Sequence, residues 1–172
     1  SDEFKKKKEL NQETVFFPLQ LCSCNKCGFK QLSYVVSPKK LYQNNYPYDS
    51  SNTEIGRKHF NELANTICKQ FNLKTKDLVV DVGSNVGILL KGFKKNGCKV
   101  LGIEPAKNIC KIANKQKIKT INSFFDKKTV NQIVKRYSRA KVITATNVFA
   151  HVDNFDQFVD NVNNLLAQNK GI

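Results

Sequence analysis

Acidic residues are scarce in this chain. Asp and Glu number 14 against 29 Lys and Arg, leaving a formal charge of +15 over 172 residues. Long apolar runs are missing too. No stretch approaches the roughly 20 consecutive apolar residues that cross a bilayer, so a transmembrane helix is not expected. The N-terminal "SDEFKKKKELNQETVFFPL" carries a lysine run with no apolar segment behind it, so a secretory signal is not expected there and a cytoplasmic location is the default expectation. Histidine is represented by His59 and His151 alone. The cysteines lack the spacing of a secreted disulfide scaffold. Cys22, Cys24 and Cys27 cluster, whereas Cys68, Cys98 and Cys110 fall singly inside apolar patterns and read as small core residues.

The shortage of acid invites a nucleic-acid reading. The lysines argue against it, because they are spread over every segment beside Asn and Ile. Lys5 to Lys8 form the one block, at a terminus expected to fray. Nucleic acid is therefore not the expected main partner. A diffuse positive field suits anionic small substrates such as nucleotide diphosphates.

With 40% hydrophobic and 25% charged residues, the composition is globular, and the length suits one domain with a small appendage. Residues 1–50 are rich in Pro, Tyr, Asn and Cys and show little helical period. Residues 51–172 alternate strand-like and helix-like segments. Ser51, Asn52 and Thr53 offer helix caps, and Ile55, Phe60, Leu63, Ile67 and Phe71 then recur at helical spacing. "DLVVDV" (77–82), "CKVLGIEP" (98–105), "KTIN" (119–122) and "KVITATNVF" (141–149) read as strands. Helices are expected over 86–97, with Gly97 as the stop, and over 106–116, 126–138 and 154–171. On the third of these, Val130, Ile133 and Val134 share a face. On the last, Phe155, Phe158, Val159, Val162 and Leu165 or Leu166 should point inward. Strand and helix alternating through short links predict an α/β fold, a parallel sheet with helices on both faces. Ligands in such sheets bind beyond the carboxyl ends of the strands, where strand order reverses, and residues 77–82 should flank that point. A fifth strand should begin at Gly171-Ile172, so the chain is expected to be a fragment with its last sheet edge open.

The loop "GSNVG" (83–87) joins the first of these strands to a helix. Gly83 and Gly87 permit a sharp turn, and free N–H groups at the helix start face the space above it. Glu104 ends the second strand, where it is either a solvated acid or the acceptor for both hydroxyls of a ribose. A dinucleotide loop would read G-x-G-x-x-G, but its second glycine is replaced by Asn85. Asp81 lies two residues before the turn. A carboxylate there suits a cofactor with a positive end, such as S-adenosylmethionine with its ammonium and sulfonium, better than a pyrophosphate. A dinucleotide site and a purely structural turn are the competing readings.

"FFPLQL", "CNKCGFKQL", "SPKKLYQNNYPYDS", "VVDVGSNVGILL", "GIEPAKNI", "NSFFD" and "ITATNVFAHVDN" occur in that order. Together they resemble the sugar C-methyltransferases of deoxysugar biosynthesis and their relatives with a zinc-binding N-terminal region, from about Phe17 to the last residue. The resemblance implies a Rossmann-like class I methyltransferase fold, S-adenosylmethionine as cofactor, and a nucleotide-linked 4-keto-deoxysugar methylated next to the ketone. It implies that Asp81, Gly83, Ser84, Asn85 and Gly87 contact the methionine part. Glu104 then takes the ribose, Pro105 and Ala106 line the adenosine, and Ser123 and Phe124 lie near adenine. Thr146, Asn147 and Val148 face the reactive end.

Such chemistry needs a base to take the proton alpha to the ketone and donors to hold the enolate oxygen. His151, at the end of the fourth strand, is placed for base, donor or sugar ligand; the plainer reading makes it the cap of the following helix. Tyr42, Tyr46 and Tyr48 sit in the connector, from which the family folds a tyrosine over the sugar; the plainer reading is a packed linker. A catalytic set of His151, Tyr46 and Tyr48 is the expectation, while His59 reads as structural.

The sequence departs from the family pattern in two ways. The family's zinc pattern has two C-x-x-C pairs, whereas this chain has Cys24 and Cys27, so zinc would need ligands upstream of Ser1. The family's Glu-His element with base residues would lie beyond Ile172. Two regions are thus expected, a partial zinc-binding and substrate-connector region at 1–50 and a cofactor-binding region at 51–172. Transfer to oxygen or nitrogen of a small molecule or RNA remains an alternative, as does a non-catalytic binding module.

Overall fold

The computed structural model describes residues 7, 10–11, 13–43, 46–168 and 171–172. Apart from Lys7, the lysine block at 5–8 lies outside the described residues.

A hairpin comes first. Strand β1 (Leu21–Ser23) pairs antiparallel with β2 (Lys30–Leu32). A short helix α1 (Pro38–Tyr42) follows, with Pro38 opening its first turn. The chain then enters α2 (Glu54–Gln70), capped by Thr53, whose side chain accepts from the Gly56 amide at 3.1 Å.

Strands β3 (Leu78–Val82), β4 (Lys99–Ile103), β5 (Thr120–Ile121) and β6 (Val142–Thr144) form one parallel sheet in the order β5-β4-β3-β6. Helices α3 (Ile88–Lys95), α4 (Lys107–Lys115) and α5 (Lys127–Arg136) make the crossovers, and α6 (Phe155–Leu165) follows β6. Every residue of β3 is buried, and its apolar run divides between two faces by the two-residue period of a strand. Val79 packs with Ala64, Leu89, Leu90 and Phe93 from α2 and α3. Leu78, Val80 and Val82 pack with Val130, Ile133 and Leu165 from α5 and α6. The sheet is covered on both faces as expected, and strand order reverses at β3, between β4 and β6.

The strands and helices fall where the sequence places them, with local corrections. The loop helix starts at Ile88 rather than Val86, because Gly87 stands at its N-cap with φ +77°. Strand β6 stops at Thr144, five residues short of the expected end; its partner in β3 is Asp81, and the chain turns at Asn147 with φ +57°. Ile55 is exposed, since α2 buries Ala64 and Cys68 instead. On α6, Phe155 and Val159 face outward, and the buried positions are Leu165 and Asn161, whose amide donates to the Phe125 carbonyl at 3.0 Å. The final α6 turn ends at Leu165, well before residue 171.

The expected fifth strand has a counterpart in hydrogen bonding. The Ile172 amide donates to the Lys141 carbonyl and its carbonyl accepts from the Ile143 amide, both at 2.9 Å, on the outer edge of β6. Cys68, Cys98 and Cys110 are buried as read, with the Cys68 and Cys98 sulfurs 3.9 Å apart. No helix among the described residues is long and apolar enough to cross a membrane.

Candidate functional site

The loop after β3 is pinned to the end of β4. The amides of Gly83 and Ser84 both donate to the Ile103 carbonyl, at 2.8 and 3.1 Å. Two glycines here answer to packing. A Cβ on Gly83 would lie 2.5 Å from Val148 Cγ2, and one on Gly87 would lie 2.6 Å from Ile118 Cγ2; both residues have positive φ. Gly83 thus lets the segment after β6 close against the end of β3. Ser84 is buried and its hydroxyl has no partner. It abuts β4 at Gly102, where a Cβ would approach Ser84 Oγ to 2.3 Å.

Above this loop opens a cavity of about 600 Å³. It lies at the carboxyl ends of β3 and β4, where the reversal of strand order places it. Asp81, Gly83, Ser84, Asn85, Glu104, Pro105, Ser123, Phe124, Thr146, Asn147, Val148, His151, Tyr46 and Tyr48 all line it. Gly87 and Ala106 stand behind the wall. Gly87 holds the turn through its amide to the Ser84 carbonyl at 2.8 Å, and the Ala106 amide donates to Glu104 Oε1 at 2.8 Å.

Two acids set the electrostatics. Asp81 is 3% exposed and accepts from Thr144 Oγ1 at 2.7 Å. Burial pushes its carboxyl up to about 7; the Thr144 bond opposes this and the Glu104 charge adds to it. No cation among the described residues offsets that burial. Glu104 is buried too, and burial raises its carboxyl, opposed by the amides of Ala106 and of Asn85, which donates to Oε2 at 2.9 Å. The Asn122 amide group ties down the carbonyls of Glu104 and Pro105, at 2.8 and 2.9 Å, fixing the turn that presents Glu104.

The other side of the cavity carries His151 and the connector tyrosines. His151 lies exposed in a single 3-10 turn, Phe149–His151. It is not the cap of α6: Asn154 is, its side chain accepting from the Gln157 amide at 2.9 Å. Tyr42, Tyr46 and Tyr48 form an edge-to-face chain with centroids 5.7 and 6.5 Å apart. Burial, then the Asp153 charge, raises the Tyr42 phenol. Sequence reasoning missed Ser50, Asp153 and Gln157, which also line the cavity and carry no motif of their own. His59 lies exposed on α2, edge-on to Phe60.

Cys24 and Cys27 are exposed in the tight turn between β1 and β2, closed by the Gly28 amide donating to the Cys24 carbonyl at 2.8 Å. Backbone amides of Cys27 and Lys26, and then the Cys27 thiol, lower the Cys24 thiol. Among the described residues no group of three or more His, Cys, Asp or Glu is arranged to hold a metal. The pair supplies half of a four-thiolate set and does not fit a complete structural zinc site.

A parallel sheet that reverses at β3, with a glycine turn and two buried acids at that point, is the Rossmann-like architecture of class I methyltransferases. Solved structures share it. The plantazolicin methyltransferase BpumL in complex with SAH superposes with TM-score 0.53 at 20% identity, over 69% of this chain and 46% of that one. An S-adenosylmethionine-dependent methyltransferase from Clostridium acetobutylicum ATCC 824 does so with TM-score 0.54 at 14% identity, over 70% and 49%. Residues 55–172 match the family described as "Methyltransferase domain", and the chain belongs to that family. Residues 1–42 match the family described as "Putative zinc binding domain". The C-methyltransferase NovU of Streptomyces niveus is 30% identical over 153 residues, 89% of this chain. The match spans 36% of NovU's length.

Proposed function

We propose that this chain is the cofactor-binding part of an S-adenosylmethionine-dependent C-methyltransferase that acts on a nucleotide-linked 4-keto-deoxysugar through an enolate. One observation carries the cofactor assignment: Asp81 is a buried carboxyl group with no cation beside it among the described residues, in the same cavity as Glu104. A buried charge without a counter-ion is costly, so the site favours a ligand with a cationic group. In this reading Asp81 receives the ammonium of the methionine part. Glu104, both of whose oxygens are held in place by backbone amides, accepts the ribose hydroxyls. Pro105, Ser123 and Phe124 flank the adenosine, with Ala106 acting through Glu104, and Thr146, Asn147 and Val148 bound the reactive end. When bound, the cofactor supplies an electrophilic methyl on sulfur.

His151, Tyr46 and Tyr48 are assigned to the acceptor side. His151 takes or gives a proton at its imidazole beside the ketone, and the tyrosines donate to the sugar or its enolate oxygen. The printed name of NovU supports carbon as the acceptor. The sugar rests on the resemblance of the motifs from Phe17 onward. Residues 1–50 are read as a connector with half a zinc site at Cys24 and Cys27, and 51–172 as the cofactor domain.

Titration calorimetry with S-adenosylhomocysteine tests the cofactor. Binding by the wild type that weakens at least about tenfold in Glu104→Ala is expected, the loss of a charged hydrogen-bond acceptor. A folded protein that does not bind overturns the reading. A 4-keto sugar nucleotide deuterated beside the ketone tests the acceptor. Loss of deuterium on mixing with the protein supports enolate chemistry, and methyl transfer with full retention refutes it.

A further inference from the structure

The connector from Tyr46 to Ser50 walls the cavity, yet no described residue from 13 to 50 is buried. Apolar packing reaches it only through the partly buried Tyr46 ring. Two side-chain amides hold its backbone. Asn108, in α4, accepts from the Tyr46 amide at 3.2 Å and donates to the Tyr46 carbonyl at 2.8 Å. Asn85, in the glycine loop, accepts from the Ser50 amide at 2.9 Å and donates to the Tyr48 carbonyl at 3.0 Å. Each carboxamide grips the connector backbone through one donor and one acceptor, as a neighbouring strand would.

Both residues suit this role chemically. Asn85 has φ +50°, at the position where a dinucleotide loop carries glycine. Asn is among the few residues that tolerate this conformation and still present a donor and an acceptor. Its Oδ1 also accepts from the Val86 amide at 2.9 Å, which orients the carboxamide toward the connector. Asn108 lies in the first turn of α4, and the Tyr46 ring beside it rests on Val86, Ala106 and Ile109. The two clamps therefore tie the connector to the glycine loop that follows Asp81 and to the helix that follows Glu104. Between them the connector brings Tyr46, Tyr48 and Ser50 to the cavity; the Ser50 hydroxyl is buried there without a partner.

We infer that Asn85 and Asn108 are paired positioning residues that lock the Tyr46–Ser50 connector in place as the outer wall of the ligand cavity. The side chain of Asn85 thus serves the connector, while its backbone amide serves Glu104. The ligand side of this inference rests on the cofactor reading above; the clamp itself does not.

Hydrogen exchange on the unliganded full chain tests the clamp. Asn108→Ala should speed exchange of the Tyr46 amide, and Asn85→Gly, which keeps the positive φ, that of the Ser50 amide, each by about tenfold or more. Asn108→Asp keeps the acceptor and should leave the Tyr46 amide close to wild-type protection. Thermal midpoints should stay near the wild-type value, which separates release of the connector from general loss of stability. Calorimetry with S-adenosylhomocysteine tests the wall. Each single variant should bind about five- to fiftyfold more weakly. The double variant should fall well short of the product of the two losses, because either release frees the same segment. Unchanged exchange in both single variants overturns the clamp. Faster exchange with unchanged affinity overturns the wall. A wild-type protein that ignores S-adenosylhomocysteine refutes the cofactor reading and the wall with it, while the exchange result still decides the clamp.

Discussion

Strand β3 and the β1–β2 hairpin lie in one chain and are held by different forces. All five residues of β3 are buried, with helices against both faces. All six residues of the hairpin strands are exposed, and apolar Phe16 and Leu19 just before them are 85% and 86% exposed. The sheet region therefore draws its stability from apolar burial, whereas the connector between the two regions is fixed by amide hydrogen bonds worth about 1 kcal/mol net each. Hydrogen bonds of that strength localise a segment without holding up the core.

The largest expected effect tests that asymmetry directly. Phe93 is fully buried between α2 and β3, so Phe93→Ala should destabilise the fold by roughly 3–5 kcal/mol. Phe16→Ala, a change of the same chemistry in the other region, should stay within about 0.5 kcal/mol. Denaturant unfolding measures both. Similar losses in the two variants would show that the N-terminal region shares the core.

A second effect separates stability from ligand binding within the sheet region. Asp81 has its carboxyl raised from 3.8 to about 7 in the folded chain, so folding takes up a proton between those values. The unliganded protein therefore loses stability from this group as pH rises from about 4 to 7, and the penalty is complete above 7. A cationic ligand favours the ionised form, so its affinity should rise over the same window. Asp81→Asn keeps an oxygen for Thr144 and removes the charge. Its thermal midpoint at pH 8 should exceed wild type by about several degrees. Its affinity for S-adenosylmethionine should fall at least about tenfold. A midpoint that drops would mean that a cation already neutralises Asp81.

This contrast bears on what the sequence makes legible. The alternation of apolar strands and amphipathic helices produces a periodic signal, because each buried side chain sits on a regular element; β3, β4 and the helices between them are readable for that reason. Asp81 and Glu104 are readable because an acid at the end of an apolar strand stands out. The clamps leave no such mark. Asn85 and Ser50 are 35 residues apart, Asn108 and Tyr46 are 62 apart, and one partner in each bond is backbone. The loop asparagine could be noticed as a missing glycine, but what its side chain holds emerges only from the fold. Helix α6 misleads in part, for the opposite reason. Phe158 and Leu165 pack inward as the periodicity promises, but Phe155 and Val159 do not, and a buried position goes to Asn161, which donates to a carbonyl in the turn before α5.

The smallest expected effect concerns the hairpin turn. Cys24 and Cys27 are exposed and close a turn that buries nothing, so replacing both with serine should leave the thermal midpoint of the sheet region unchanged. Their reactivity is the sensitive readout. Amides of Cys27 and Lys26 point at the Cys24 sulfur and, with the Cys27 thiol, lower its thiol against a lesser opposing push from desolvation. The thiolate is the reactive form, so Cys24 should be alkylated by iodoacetamide at neutral pH several-fold faster than exposed Cys22. Adding Zn²⁺ should slow that alkylation if the pair binds the ion as two thiolates. Mass spectrometry of the tryptic peptides measures each rate. A rate for Cys24 equal to that of Cys22 would show that the amides do not organise the turn around sulfur. A midpoint that falls on replacing the cysteines would show that this region, despite burying nothing, supports the core after all.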